Sequence, residues 1–252
     1  MAPSSPNWRQ ALVRQLRTDA DLRGPLIAAV TASTIGAISA ISWSIFSRCF
    51  FAMGAITLLA SVFAARKAKA NPVMVLQAAF LGFVFGASIL SALLSYSSTS
   101  SFLFSLYLSL MAIFHFTEFL FTAITNRRGL QADSFLLNHS TAYWIAACTA
   151  WAEFWIEAYL LPGIKTQYIG LVGMGVCVAG EVIRKMGMLH AGNGFTHRMA
   201  TSKKPDHRLC TTGIYAWIRH PGYAGWLMWS VGTQIVLCNP LCTVAYAIVS
   251  WR

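Results

Sequence analysis

Apolar residues in this chain come in long blocks of helix-spanning length, separated by short polar stretches, and that pattern leaves few folds open. A helix needs about 20 apolar residues to cross a bilayer, and in lipid its backbone N–H and C=O groups must be satisfied within the segment. Hydrophobic residues make up 56% of the 252 positions and charged residues only 11%. The chain therefore reads as an all-α, polytopic helical membrane protein. Blocks fall at about 25–47, 49–65, 72–96, 102–125, 141–161 and 166–189. A seventh starts at Pro221 and runs to about 238, since proline suits the first turn of a helix. That gives about seven full transmembrane helices. The last run, 241–251, is too short to span and reads as an incomplete eighth, so the natural chain is expected to continue past Arg252. Residues 1–252 are taken as one integral membrane domain: a cytosolic leader over 1–24, N-terminal helices over 25–114 and a core over 115–252. The first two blocks are expected to form a tight hairpin joined by little more than Arg48.

Basic residues fix the expected orientation. With the N-terminus in the cytosol, every Lys and Arg falls at a cytosolic end except Arg48 and Lys165. The net charge of +11 then serves topology and argues against nucleic-acid binding. The loop at 190–223 is placed in the cytosol, and Asn138-His139-Ser140 becomes an unused glycosylation acceptor. The first apolar block is too long for a signal-peptide core, so the leader is expected to be uncleaved. Six cysteines show no C-x-x-C pair and read as packing residues, neither disulfides nor zinc ligands.

Several polar groups interrupt the blocks. Gly82-x-x-x-Gly86 is a spacing that lets helices approach closely in lipid, and packing is its expected role. His115 and Glu118 lie on one helix face. A metal centre there would need further boxes that the chain lacks, so a packed, hydrogen-bonded pair is expected. Glu153 and Glu157 lie one turn apart. Glu181, Arg184 and Lys185 fall at helical spacing near the cytosolic end of the sixth block, where Arg184 either orients a substrate anion or anchors the helix at the interface, paired with Glu181.

The main chemical constellation is Arg219-His220-Pro221-Gly222-Tyr223. It follows Thr211, Thr212 and Tyr215 and opens a helix whose positive end faces the polar loop, which suits a carboxylate or similar anion. Interfacial anchoring by Arg219 and His220 is the alternative. Gly192-Asn193-Gly194 comes off a membrane helix with the wrong spacing for a dinucleotide fingerprint. No H-E-x-x-H, P-loop or Ser-His-Asp arrangement is readable.

From His115 onward the chain resembles the isoprenylcysteine carboxyl methyltransferases. The resemblance rests on His115-Phe116-Thr117-Glu118-Phe119, the run from Ser134 to Ser140, and Gly180-Glu181-x-x-Arg184-Lys185. It continues through Ala191-Gly192-x-x-Phe195-x-His197, His207-x-Leu209, Gly213-x-Tyr215 and Arg219-His220-Pro221-x-Tyr223-x-Gly225-Trp226. Gly232-Thr233-Gln234 and Leu237-Cys238-Asn239-Pro240 complete it. It implies methylation of the C-terminal carboxylate of prenylated cysteine in CaaX proteins, with S-adenosylmethionine as methyl donor, at the endoplasmic reticulum membrane. It further implies that His207, Arg208, Leu209, Cys210, Tyr215, His220, Pro221, Gly222 and Tyr223 hold the cofactor and that Arg184 lies near the prenylcysteine. Partners would be prenylated CaaX proteins and the lipid bilayer. Two departures stand out: Ala200 falls where the family has a polar cofactor contact, and the chain stops before the family's arginine, acidic cluster and aromatic tail. Weak cofactor binding and poor or absent methyl transfer are expected of the chain as it ends.

A carboxylate is already ionised at neutral pH, so no acid or base is assigned. His197, His207 and His220 read as hydrogen-bond donors to the cofactor. Two other readings stay open: a membrane sterol or lipid reductase using NADPH, and a non-catalytic membrane scaffold.

Overall fold

The computed structural model describes residues 18–41, 47–137, 140–196 and 209–251. The N-terminal leader through residue 17, Asn138 and His139, His197, Ala200, His207, Arg208 and Arg252 lie outside these residues. Eight α-helices are present among the described residues: α1 (Ala20–Ile41), α2 (Ser47–Ala68), α3 (Pro72–Leu94), α4 (Thr99–Thr125), α5 (Thr141–Leu160), α6 (Gln167–Ala191), α7 (Pro221–Val236) and α8 (Pro240–Trp251). No strand occurs among them. Within α1, α3 and α4 lie segments, Ala20–Ala40, Pro72–Leu94 and Thr99–Thr125, that are long and apolar enough to cross a membrane.

Most boundaries follow local chemistry. Asn71 caps α3, its side chain accepting from the N–H of Val73 and Met74, and Pro72 takes the first helical position. Ser140 caps α5 through the Tyr143 N–H. Pro221 opens α7 directly after His220, as its position in the sequence predicts.

Two expectations need correction. α1 begins at Ala20, ahead of Pro25, which sits inside the helix. A proline this early sacrifices only one intrahelical bond, to the Asp21 carbonyl, while the first turn is tied down because the Asp21 carboxylate accepts the Asn71 N–H at 2.7 Å. Arg48 is not the connector of a hairpin; it lies within α2, which starts at Ser47.

Small residues set the helix spacing. α1 and α3 run parallel, and their backbones approach so closely that a Cβ on Gly82 would stand 2.1 Å from the Ala29 carbonyl oxygen and one on Gly86 1.8 Å from that of Ser33. The Gly82-x-x-x-Gly86 spacing is thus a packing seam. α6 and α7 form the second close pair, antiparallel, with Gly180 against Gly225. Between the pairs runs α4, whose Phe114 stacks on Trp229 of α7 with centroids 3.7 Å apart, while Phe119 stacks on Phe135 at 4.2 Å. Arg127, just past α4, forms an ion pair with Asp19, just ahead of α1, so these two ends lie at the same end of the bundle.

Candidate active site

Glu118 of α4 is fully buried and faces α6. Arg184 donates to it in bidentate fashion, through Nε to Oε1 at 2.6 Å and through a terminal nitrogen to Oε2 at 2.8 Å. The other terminal nitrogen of Arg184 donates to the Gly222 carbonyl at 2.8 Å, in the first turn of α7. The guanidinium lies 5.8 Å from the Phe114 ring centroid and 5.6 Å from that of Phe195. Lys185 also donates to Glu118 and lies 3.2 Å from Glu181, which in turn accepts from the Thr117 hydroxyl. Two carboxylates and two cations thus form a connected, formally neutral cluster. Burying charge in this way is tolerable only because each group is paired and hydrogen-bonded.

Glycine makes this arrangement possible. A Cβ at Gly225 would fall 2.4 Å from the Gly180 carbonyl oxygen and 2.7 Å from the Arg184 backbone nitrogen. Close approach of α6 to α7 is what lets the Arg184 side chain reach Gly222.

The pairing differs from the one that helical spacing suggests. His115 does not pair with Glu118: its Nδ1 lies 2.8 Å from the Phe135 carbonyl and its Nε2 2.8 Å from the Tyr143 hydroxyl. Arg184 pairs with Glu118 across the bundle, and Glu181 is left to Lys185. Three residues' separation brings two side chains to one helix face, but in a dry interior each charge takes whichever partner the facing helix offers, and α4 offers Glu118 to α6. Glu153 and Glu157 are occupied at the opposite end of the bundle. Glu153 accepts from the N–H of Leu241 and Cys242 at the start of α8, and Glu157 pairs with Lys165.

At the mouth of the site, His220 ends the loop and Pro221 and Gly222 are buried, while Tyr223 is 63% exposed. The His220 and Tyr223 rings meet edge to face with centroids 6.3 Å apart. No side chain caps α7, so its first N–H groups, which have no acceptor within the helix, point their positive end outward. Upstream, Leu209 is exposed and the Cys210 thiol lies 3.5 Å from the His190 carbonyl. Gly213 adopts a positive φ of 62° and packs against the His190 ring, where a Cβ would collide. Those contacts tie the described end of the loop to the end of α6. Tyr215 sits in the short 3-10 turn that follows. Partial burial, with the nearby Cys210 thiol second, pushes its phenol up, so at neutral pH it is an O–H donor. Among the candidates the structure therefore joins Arg184 to Gly222 and His220 to Tyr223.

The pairing of Glu118 with Arg184 and Lys185, and the contact of Thr117 with Glu181, are what sequence reasoning missed. Their available signal was arithmetic: two cations on α6 require two buried anions, and Glu181 supplies only one.

This geometry occurs in a chain with clear relatives. Residues 171–252 match the model of the isoprenylcysteine carboxyl methyltransferase (ICMT) family. The protein-S-isoprenylcysteine O-methyltransferase of Xenopus laevis is 45% identical over 178 residues, covering 70% of this chain and 61% of that protein. A probable protein-S-isoprenylcysteine O-methyltransferase of Oryza sativa subsp. indica is 42% identical over 149 residues, 58% of this chain and 77% of that protein. The solved structure of a eukaryotic intramembrane Ras methyltransferase superposes with a TM-score of 0.83 at 35% identity, covering 92% of this chain and 85% of that one. The chain thus spans about three fifths of the length of the first of these relatives. Its helices and this likeness make it a multi-pass membrane protein.

Proposed function

Because the chain belongs to the isoprenylcysteine carboxyl methyltransferase family, we propose that it forms a methyl ester on the C-terminal carboxylate of farnesylated or geranylgeranylated cysteine in CaaX proteins, with S-adenosylmethionine as methyl donor. The observation that carries this reading is the Arg184 guanidinium, held between Glu118 and the Gly222 carbonyl beside the first turn of α7. It places a fixed cation next to a helix start that favours anions, at the end of an apolar bundle.

The residues present fit such a donor. The first turn of α7 suits its carboxylate, the exposed Tyr223 ring offers an aromatic face, and the Tyr215 phenol is a neutral donor. Leu209, Cys210, Tyr215, His220, Pro221, Gly222 and Tyr223, with His207 and Arg208, would hold it. When bound, S-adenosylmethionine supplies a methyl carbon made electrophilic by a sulfonium. Arg184 grips the substrate carboxylate. No residue has to remove a proton, since that carboxylate is already ionised. Alignment therefore carries the rate, and orienting two reactants can be worth about 7–11 kcal/mol, more than the 10²–10⁴-fold typical of a general base. The buried aromatic face of Phe114 and the close-packed α6–α7 seam keep water from the same volume.

In this reading α1 to α7 cross the endoplasmic reticulum membrane. The N-terminus and the loop between α6 and α7 lie in the cytosol, and residues 115–252 form the methyltransferase core.

Isothermal titration of purified protein with S-adenosylmethionine tests the site. Tyr223→Ala and His220→Ala should each weaken binding while the protein stays monodisperse. Unchanged affinity in both would remove the helix start from the cofactor site.

A further inference from the structure

We propose that Glu118 is a positioning residue for methyl transfer: from α4 it fixes the plane of the Arg184 guanidinium, so that the N–H groups left over face the substrate carboxylate beside α7. This rests on the reading of the preceding subsection.

The geometry restricts Arg184 in every direction. Its edge is held by both oxygens of Glu118, one terminal nitrogen is held by the Gly222 carbonyl, and the rings of Phe114 and Phe195 lie within 6 Å of the guanidinium carbon. A guanidinium carries five N–H donors. Three are used in these bonds, which leaves one on each terminal nitrogen for a further acceptor. An arginine free to rotate would present those donors in many directions; one chelated through Nε and a terminal nitrogen presents them in a single plane.

Glu118 is itself immobilised. Its side chain has no solvent exposure, and Lys185 donates to the oxygen that also takes Arg184 Nε. Lys185 is anchored in turn by Glu181, and Glu181 by the Thr117 hydroxyl one residue before Glu118. The chain of contacts closes on α4, so the carboxylate cannot swing away from α6 without breaking bonds on both helices. An ion pair serving stability alone would be complete with Glu118 and Arg184. The third bond, to the first turn of α7, ties this pair to the helix start where the methyl donor is proposed to sit.

The test uses the 252-residue protein in lipid nanodiscs, with N-acetyl-S-farnesylcysteine and S-adenosylmethionine as probes of equilibrium binding and of methyl ester formation. In Glu118→Gln, farnesylcysteine binding should weaken by about tenfold or more, the size of one lost charge-assisted bond, with the loss appearing in KM. S-adenosylmethionine affinity should stay within about twofold. Glu118→Asp keeps the charge but shortens the side chain, so its farnesylcysteine affinity should fall between those of Glu118→Gln and the unchanged protein, and an affinity equal to the unchanged protein's counts against the proposal. Should Glu118→Gln fail to fold, Glu118→Asp still decides: its shorter side chain moves the guanidinium and should weaken farnesylcysteine binding several-fold relative to the unchanged protein. A folded Glu118→Gln that binds farnesylcysteine as well as the unchanged protein overturns the proposal, while the proposed function stands. So does equal loss of both ligands together with a lowered melting temperature, the pattern of a purely structural pair. If the unchanged protein binds S-adenosylmethionine but does not bind farnesylcysteine, the functional reading fails and this proposal falls with it.

Discussion

Lys165 Nζ lies 2.7 Å from Glu157 Oε2, and the Lys165 side chain is completely shielded from solvent. The same ammonium donates to the carbonyls of Leu237 and Cys238 and to Asn239 Oδ1, at 3.0–3.1 Å. Those carbonyls follow the last turn of α7, where the negative end of the helix collects, so one cation satisfies both a carboxylate and a helix terminus. Asn239 extends the network to α5 by donating to the Ala150 carbonyl at 2.8 Å.

Replacing Lys165 by Met should therefore be severe. It leaves a part-buried carboxylate and three further acceptors without a donor, and breaking a buried pair from one side costs about 3–5 kcal/mol. Thermal unfolding of the purified protein in detergent should show a markedly lowered midpoint. Adding Glu157→Gln should return part of the loss, because the stranded charge is then removed. An unchanged midpoint in the single variant would mean that water reaches this site and the pair contributes little.

Glycines supply a second contrast, within one chemical substitution. Gly86→Ala should disrupt the α1–α3 seam, since the new methyl would stand 1.8 Å from the Ser33 carbonyl oxygen and 2.6 Å from its carbon, both backbone atoms that cannot rotate away. Gly175→Ala, in α6, meets nothing within 4 Å. There alanine should be neutral or stabilising by up to about 1 kcal/mol, the ordinary helix preference for alanine over glycine. Melting temperatures of the two variants, measured side by side, should move in opposite directions. A tolerated Gly86→Ala would show that the two helices are not in backbone contact.

Much of the architecture was legible because it follows from rules local to the chain. Long apolar blocks dictate helices, Asn71-Pro72 and His220-Pro221 dictate starts, and small residues four apart dictate close approach. Pairing of the buried charges was not legible. Periodicity says which residues share a face of one helix, so it suggested His115 with Glu118 and Glu181 with Arg184; which helix faces which is a property of the assembled bundle. Tyr143 and the Phe135 carbonyl, the actual partners of His115, are 28 and 20 residues away. Glu118 and Arg184 are 66 apart. Of the candidate site, the start of α7 was readable to the residue, because proline constrains its own backbone. The role of Arg184 rests on a partner that no spacing could name.

Orientation can be checked at two positions on opposite sides. α6 and α7 run antiparallel, as the facing of Gly180 with Gly225 and of Gly187 with Pro221 requires, and Asn126 at the end of α4 donates to the Phe195 carbonyl just past α6, so the segment joining α6 and α7 emerges at the same end as Arg127 and Asp19. Among the described residues Arg23, Arg66, Lys67, Lys69, Arg127, Arg128 and Arg219 flank helix ends on that side and Lys165 the other, which argues for the cytosol. Cys210, a partly exposed free thiol in the connecting segment, should react with a membrane-impermeant maleimide added from the cytosolic side of sealed microsomes. Gly163, on the exposed turn between α5 and α6 with open space around it, provides the opposite marker. A Gly163→Cys variant should label at that position only after the membrane is opened. Peptide mass spectrometry distinguishes the two sites from the remaining cysteines, and Cys210→Ser should abolish the first signal. Labelling in the reverse sense would invert the bundle. The start of α7 would then face the lumen, out of reach of prenylated proteins in the cytosol, and the proposed function would fall with the topology.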